Sequence, residues 1–288
     1  MGHRVDESAG GTRRAGRLLR PLLRPALTIG LLWLTAVSSS AVAQENPARV
    51  DIVKKVRNPL DDTVSLQVQP NFNFGVGANR DTEYVFNAQA NVPISLLGDW
   101  DLITRTIVPL VNEPGDPGEG YTFGIGDIQP TLFFSPPSSG TFIWGFGTVL
   151  QFPSASATSL GAGKWEAGPT LAAILNSGPW QIGAQVNNRW SFAGDRHRPA
   201  VNQMFVQPLL NYTLPESWYL TWGPQVTADW KASPADRWTV PVGAGFGKAF
   251  TFGQRSLNVQ AEAYYNAVHP TDGPTWSAIL TIQLLFLK

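Results

Sequence analysis

From Val64 to Phe74 the chain reads Val-Ser-Leu-Gln-Val-Gln-Pro-Asn-Phe-Asn-Phe, apolar or proline at every even position and Ser, Gln or Asn at every odd one. Successive side chains of a strand point to opposite faces, so this segment has one apolar face and one lined by neutral amides. The two-residue rhythm recurs over 82–94, 100–111, 126–134, 142–153, 165–175, 180–192, 202–213, 218–230, 238–250, 257–267 and 276–287. A soluble sandwich would bury its apolar face and give the other to water, usually with Lys and Glu. Here the polar face carries amides and the apolar face is large and aromatic. The pattern predicts an all-β fold: a transmembrane, antiparallel, up-and-down β-barrel of about twelve strands, with lipid outside and a polar lumen inside. Segments of about 11 residues, tilted as usual, cross an apolar band roughly 25 Å tall.

The connections alternate in kind. Short links are expected at 97–99, 135–140, 176–179, 214–217 and 251–256, and mostly longer polar ones at 75–81, 112–125, 154–164, 193–201, 231–237 and 268–275. Outer-membrane barrels have short periplasmic turns and longer outer loops, so the strands are expected to start and end on the periplasmic side. On the apolar face, Trp100, Trp180 and Trp218 would form a periplasmic aromatic girdle, and Trp165, Trp190, Trp230, Trp238 and Trp276 an outer one. Two features resist. Segment 100–111 turns Ile103 and Ile107 toward the lumen, and Pro70, Pro93, Pro130, Pro169, Pro208 and Pro224 each remove a ladder donor within a strand.

What precedes the strands reads differently. Arg13, Arg14, Arg17, Arg20 and Arg24 form a basic region, an apolar run spans Leu27 to Val37, and Ala41-Val42-Ala43 completes an A-x-A site. Residues 1–43 are therefore expected to be a cleaved signal peptide, a membrane anchor being the alternative. Residues 44–63 would be a periplasmic N-terminal lead-in and 64–288 the transmembrane barrel. Cleavage would remove six arginines and two acids from 21 of each sign, leaving a formal charge of −4. That field offers nothing to a nucleic acid. With no cysteine in the chain, disulfides, a thiol nucleophile and thiolate metal sites are excluded, which suits a bacterial envelope protein. The expected location is a Gram-negative outer membrane. Membrane lipid, lipopolysaccharide and the barrel-assembly machinery would be its partners.

Several stretches carry a resemblance: Asn71-Phe-Asn-Phe-Gly-Val-Gly77, Asp99-Trp-Asp-Leu-Ile-Thr-Arg-Thr-Ile-Val-Pro109 and Gly124-Ile-Gly-Asp-Ile-Gln-Pro-Thr-Leu-Phe-Phe-Ser-Pro136. Gly161-Ala-Gly-Lys-Trp-Glu-Ala-Gly-Pro169, Asn188-Arg-Trp-Ser-Phe-Ala-Gly194 and Phe205-Val-Gln-Pro-Leu-Leu-Asn-Tyr212 add to it. Together they resemble the bacterial outer-membrane barrels labelled putative transporter of the phenol meta-cleavage pathway, over nearly the whole chain after the signal. The resemblance implies a barrel passing small organic, often aromatic, compounds, and its motifs hold proline at several of these places. It implies no cofactor and supplies no functional residues.

The candidate chemistry is in the lumen-facing set: Gln67, Gln69, Asn71, Asn73, Asn87, Gln89, Asn91, Gln129, Gln185, Asn187, Gln207, Asn211 and Gln260. Amides donate and accept, so they can hold water or neutral polar solutes; in a closed lumen they would satisfy one another. Arg105 and Arg189 facing Asp127 and Glu262 would make a charge constriction, or an ion-pair lattice across the lumen. Lumen-side Ile103, Ile107, Phe133, Phe205, Tyr219 and Tyr264 would form an apolar slide or pack on inward neighbours. A lipase-type barrel enzyme needs a Ser-His pair, and the only histidines after the signal, His197 and His269, fall in outer loops. A non-enzymatic barrel without metal is expected. A periplasmic all-β binding protein would not explain why the tryptophans share one face.

Overall fold

A computed structural model describes residues 47–96, 99–137 and 140–287; the signal expected over 1–43, and Leu97 and Gly98 of the first short link, lie outside them. The strands are β1 (Val64–Val76), β2 (Asp81–Ser95), β3 (Asp101–Glu113), β4 (Thr122–Ile125), β5 (Gln129–Ser135), β6 (Phe142–Gln151) and β7 (Lys164–Ser177). They continue as β8 (Trp180–Gly194), β9 (Asn202–Thr213), β10 (Trp218–Trp222), β11 (Val226–Asp229), β12 (Trp238–Phe252), β13 (Arg255–Val268) and β14 (Trp276–Phe286). One helix, α1 (Pro47–Val56), precedes them. All pairings are antiparallel, and β1 pairs with β14 to close the sheet. β4 and β5 both pair with β3, and β10 and β11 both lie between β9 and β12, so fourteen segments form twelve staves. The fold is a closed twelve-stranded antiparallel barrel.

Its faces are inverted relative to a soluble protein. Leu66, Leu220 and Phe246 are more than half exposed on the outer wall, whereas Gln181, Asn258 and Gln260 are at most 2% exposed inside. Such a wall is stable only against hydrocarbon, because closure leaves no strand edge and every polar side chain can turn inward. At one end the links are tight: Gly178-Pro179 joins β7 to β8 and Gly253-Gln254 joins β12 to β13. Both glycines have positive φ, +52° and +59°, the left-handed backbone these turns require.

The prolines find a common explanation in the pairing. In an antiparallel strand the N–H and C=O of a residue face the same neighbour, so a proline weakens only one of its two ladders. Pro70 stays opposite Phe86, while the other ladder skips from Val68–Ile282 to Asn71–Ile279. Pro169 stays opposite Thr148, and the β7–β8 ladder skips from Ala167–Trp190 to Thr170–Asn187. Pro93 and Pro130 each keep one partner, Ile103 and Thr106, at positions where the ladder on the far side has run out. Pro208 keeps Ala184 and on its other side meets the break Gly223-Pro224-Gln225 between β10 and β11. Two prolines thus share one interruption.

The described part of the segment 44–63 is folded against the inner wall of the barrel. Ile52, Val53 and Val56 are buried on one side of α1 and pack with Tyr219, Ala249 and Leu285. Leu60 is buried with Ile103, Phe133 and Ala172. The inward isoleucine that spoils the alternation of β3 is therefore half of an apolar contact whose other half lies 43 residues upstream (Leu60 to Ile103). At Gly145 a methyl would come within 3.1 Å of Leu60, and at Gly247 it would collide with the Tyr219 ring, so both glycines make room for inward groups.

Candidate functional site

Arg57, the residue after α1, reaches across the lumen. Its guanidinium donates to Gln260 Oε1 (2.6 Å), Thr221 Oγ1 (3.2 Å) and Asn211 Oδ1 (3.4 Å). Gln181 Nε2 donates to the carbonyl of Lys54 (3.0 Å), tying the helix to the wall by its C-terminal turn, where carbonyls lack helical partners. The amides Asn211 and Gln260, expected as lumen lining, serve here as anchors for this plug.

Above the plug lies a cavity of about 360 Å³ whose floor is Val56 to Pro59. Its wall contains Gln67, Gln69, Asn87, Gln89, Asn91, Gln129, Gln185, Asn187 and Gln207. A second cavity, of about 280 Å³, lies toward the long-loop end and is lined by Asn71 and Asn73. The two share Gln69, Asn87 and Gln225, so the polar lining is continuous between them.

Arg105, Asp127, Arg189 and Glu262 all line the larger cavity, but they do not pair with one another. Arg189 bonds Glu166 (Nε to Oε2, 2.8 Å) and donates to Gln129 and Gln203 (2.6 Å each). Asp127 accepts from the backbone N–H groups of Ala162 (2.7 Å) and Ala155 (3.1 Å), so it pins the loop after β6. Glu262 accepts from the Tyr264 hydroxyl (2.9 Å). Arg105 donates to Gln185 Oε1 (3.1 Å), and its guanidinium stands 5.8 Å from the Phe133 ring centroid. Ile107 and Phe205 face the same cavity, whereas Tyr219 is buried beside α1.

The eight tryptophans expected to form girdles lie near strand ends. Trp100, Trp180 and Trp218 flank the tight-turn end, with Trp180 tilted against Tyr212 (ring centroids 4.6 Å apart) and Trp218 beneath the Lys248 ammonium (4.8 Å). Trp165, Trp190, Trp230, Trp238 and Trp276 flank the other end, Trp230 and Trp238 being edge to face at 5.6 Å. The histidines are in outer loops. His197 approaches Asp195 (3.1 Å) and His269 the carbonyl of Pro270 (2.7 Å); among the described residues neither bonds a serine hydroxyl. No cluster of three potential metal ligands occurs among the described residues.

Arg57 and its helix are what the sequence reading missed. The available signal was the spacing of Ile52, Val53, Val56 and Leu60, which puts apolar residues on one face of a helix and its extension, beside the basic run Lys54, Lys55, Arg57.

No family model and no curated protein matches the chain. Among solved structures, an outer membrane channel from Pseudomonas putida F1 is similar at 18% identity, with a TM-score of 0.61, covering 79% of this chain and 97% of that one. The barrel is an outer-membrane barrel by fold. Outer membrane phospholipase A from Escherichia coli is similar at 13% identity with a TM-score of 0.41, covering 78% of this chain and 92% of that one. The β domain of a Bordetella autotransporter stands at 12% and 0.43, covering 78% and 98%.

Proposed function

We propose that this chain is a channel of the Gram-negative outer membrane that passes small organic solutes, aromatic ones included, through its amide-lined lumen. The observation that carries the reading is the continuous polar lining of the two cavities above the plug, which share Gln69, Asn87 and Gln225. Twelve strands leave more interior than the nearly filled eight-stranded barrel and less than an open porin, so passage is narrow and selective. The likeness to the P. putida channel and the resemblance to the phenol-pathway barrels point the same way. In this reading residues 1–43 direct export and are removed, the assembly machinery inserts the barrel, and lipid and lipopolysaccharide surround its aromatic ends. The chain acts without catalysis: its walls exchange hydrogen bonds with the solute in place of water.

Single-channel recording of the refolded chain in planar bilayers tests the reading. Steady conductance that a phenolic solute blocks in a concentration-dependent way is expected. Silence from correctly folded protein would make it a structural barrel.

A further inference from the structure

Of the three arginines that line the larger cavity, Arg105 has the fewest acceptors. Arg189 has Glu166, and Arg57 has three oxygen acceptors, but among the described residues no carboxylate lies within 4 Å of the Arg105 guanidinium. Its hydrogen bond to Gln185 Oε1 fixes how that amide is turned. A guanidinium can only donate, so Gln185 must present its oxygen to Arg105 and its NH2 elsewhere. Gln185 is 4% exposed, and its Nε2, like Arg105 Nε, has no acceptor among the described residues. Two buried donors therefore flank a single hydrogen bond at the wall of the 360 Å³ cavity, which also presents Ile107 and Phe205. A buried donor left unmet keeps the cost of its lost hydration, so the pair is complete only with an acceptor between them.

We propose that Arg105 and Gln185 form a binding site for the carboxylate of a small organic acid with an apolar body, an aromatic monocarboxylate being the fitting class. The carboxylate takes one bond from Arg105 and one from the Gln185 amide, while Ile107 and Phe205 contact the ring. Charge-assisted bonds of this kind are roughly twice as strong as neutral ones. A neutral analogue of the same shape lacks both the charge and the second acceptor. The proposal deepens the solute-passage reading by naming the solute's charge.

The test is equilibrium binding to the folded full chain in detergent, which does not depend on passage. Benzoate and benzyl alcohol are the probes, titrated calorimetrically into wild type, Arg105→Gln and Gln185→Glu, with heat-modifiable migration on gels confirming each barrel. Wild type should bind benzoate about tenfold more tightly than benzyl alcohol. Arg105→Gln should lose that preference. Gln185→Glu should place a carboxylate of the chain itself beside Arg105 and abolish benzoate binding without unfolding the barrel. Equal affinity for the two probes in wild type, or an undiminished preference in Arg105→Gln, would overturn the site. Conductance without benzoate preference sinks the site alone, and benzoate preference without conductance sinks passage alone.

Discussion

The two halves of the lumen are built from one sheet yet behave as different materials. At the tight-turn end the inner wall offers Ile103, Phe133, Ala172, Tyr219, Ala249 and Leu285, and each is covered by α1 or Leu60. Toward the long-loop end the same strands offer Asn71, Asn73, Asn87 and Gln69, and a cavity remains. The difference teaches that inward apolar residues in a barrel mark where something else packs. An amide wall can be left to solvent, but an apolar one in a wet lumen draws a partner at roughly 25 cal/mol per Å² covered.

Removing residues 47–60 should break the contrast most severely. Without the plug the sealed half opens, and single-channel conductance should rise about threefold or more, since a twelve-stranded barrel has room beyond a filled core. An unchanged conductance would mean that the plug already stands clear of the conducting path. A milder variant, Leu60→Ala, should weaken docking by about 3 kcal/mol, the usual cost of emptying a packed site. It would show as faster protease cleavage after α1, with barrel migration unchanged.

The smallest effect expected is one of pH, with opposite signs at the two ends. Burial, chiefly, holds the Asp61 carboxyl above the ordinary range against the opposing hydrogen bonds from Thr63, and its Oδ1 has no hydrogen-bond partner among the described residues. A raised acid favours the docked state while protonated, so docking should loosen as pH rises through the docked value, and Asp61→Asn should abolish that dependence. At the far end Asp236 accepts from Thr271 N (2.9 Å) and Oγ1 (2.8 Å), joining two outer loops, and those bonds hold its carboxyl below the ordinary range. Here the link is present above the ordinary carboxylate value and lost as pH falls. Hydrogen exchange at Thr271 should therefore quicken on acidification, while protection of α1 should not fall.

The wall was legible in the sequence because a strand writes its two faces directly into alternate positions. Twelve staves, the inward amides and the outward tryptophans follow from that period alone. What could not be read was pairwise. Arg189 chooses Glu166 over Asp127 because β7 and β8 are neighbours, and Asp127 is taken up by loop N–H groups whose position no spacing rule gives. Ile103 looked like a fault in β3 because its partner, Leu60, belongs to a segment with no strand rhythm. The prolines looked equally anomalous until each could be matched with the ladder that it interrupts. The charge constriction survives only as four groups around one cavity, each with its own partner.

The plug also sets an order on assembly. Arg57, made before any strand, finds its hydrogen-bond partners on later ones: Asn211 on β9, Thr221 on β10 and Gln260 on β13. These contacts span 154 to 203 residues of sequence in the case of Arg57. Contacts so distant close late, since the loop between them must first be ordered. A seated Arg57 thus reports that β9, β10 and β13 have met, and a chain truncated before β13 would lose its shortest bond, that to Gln260.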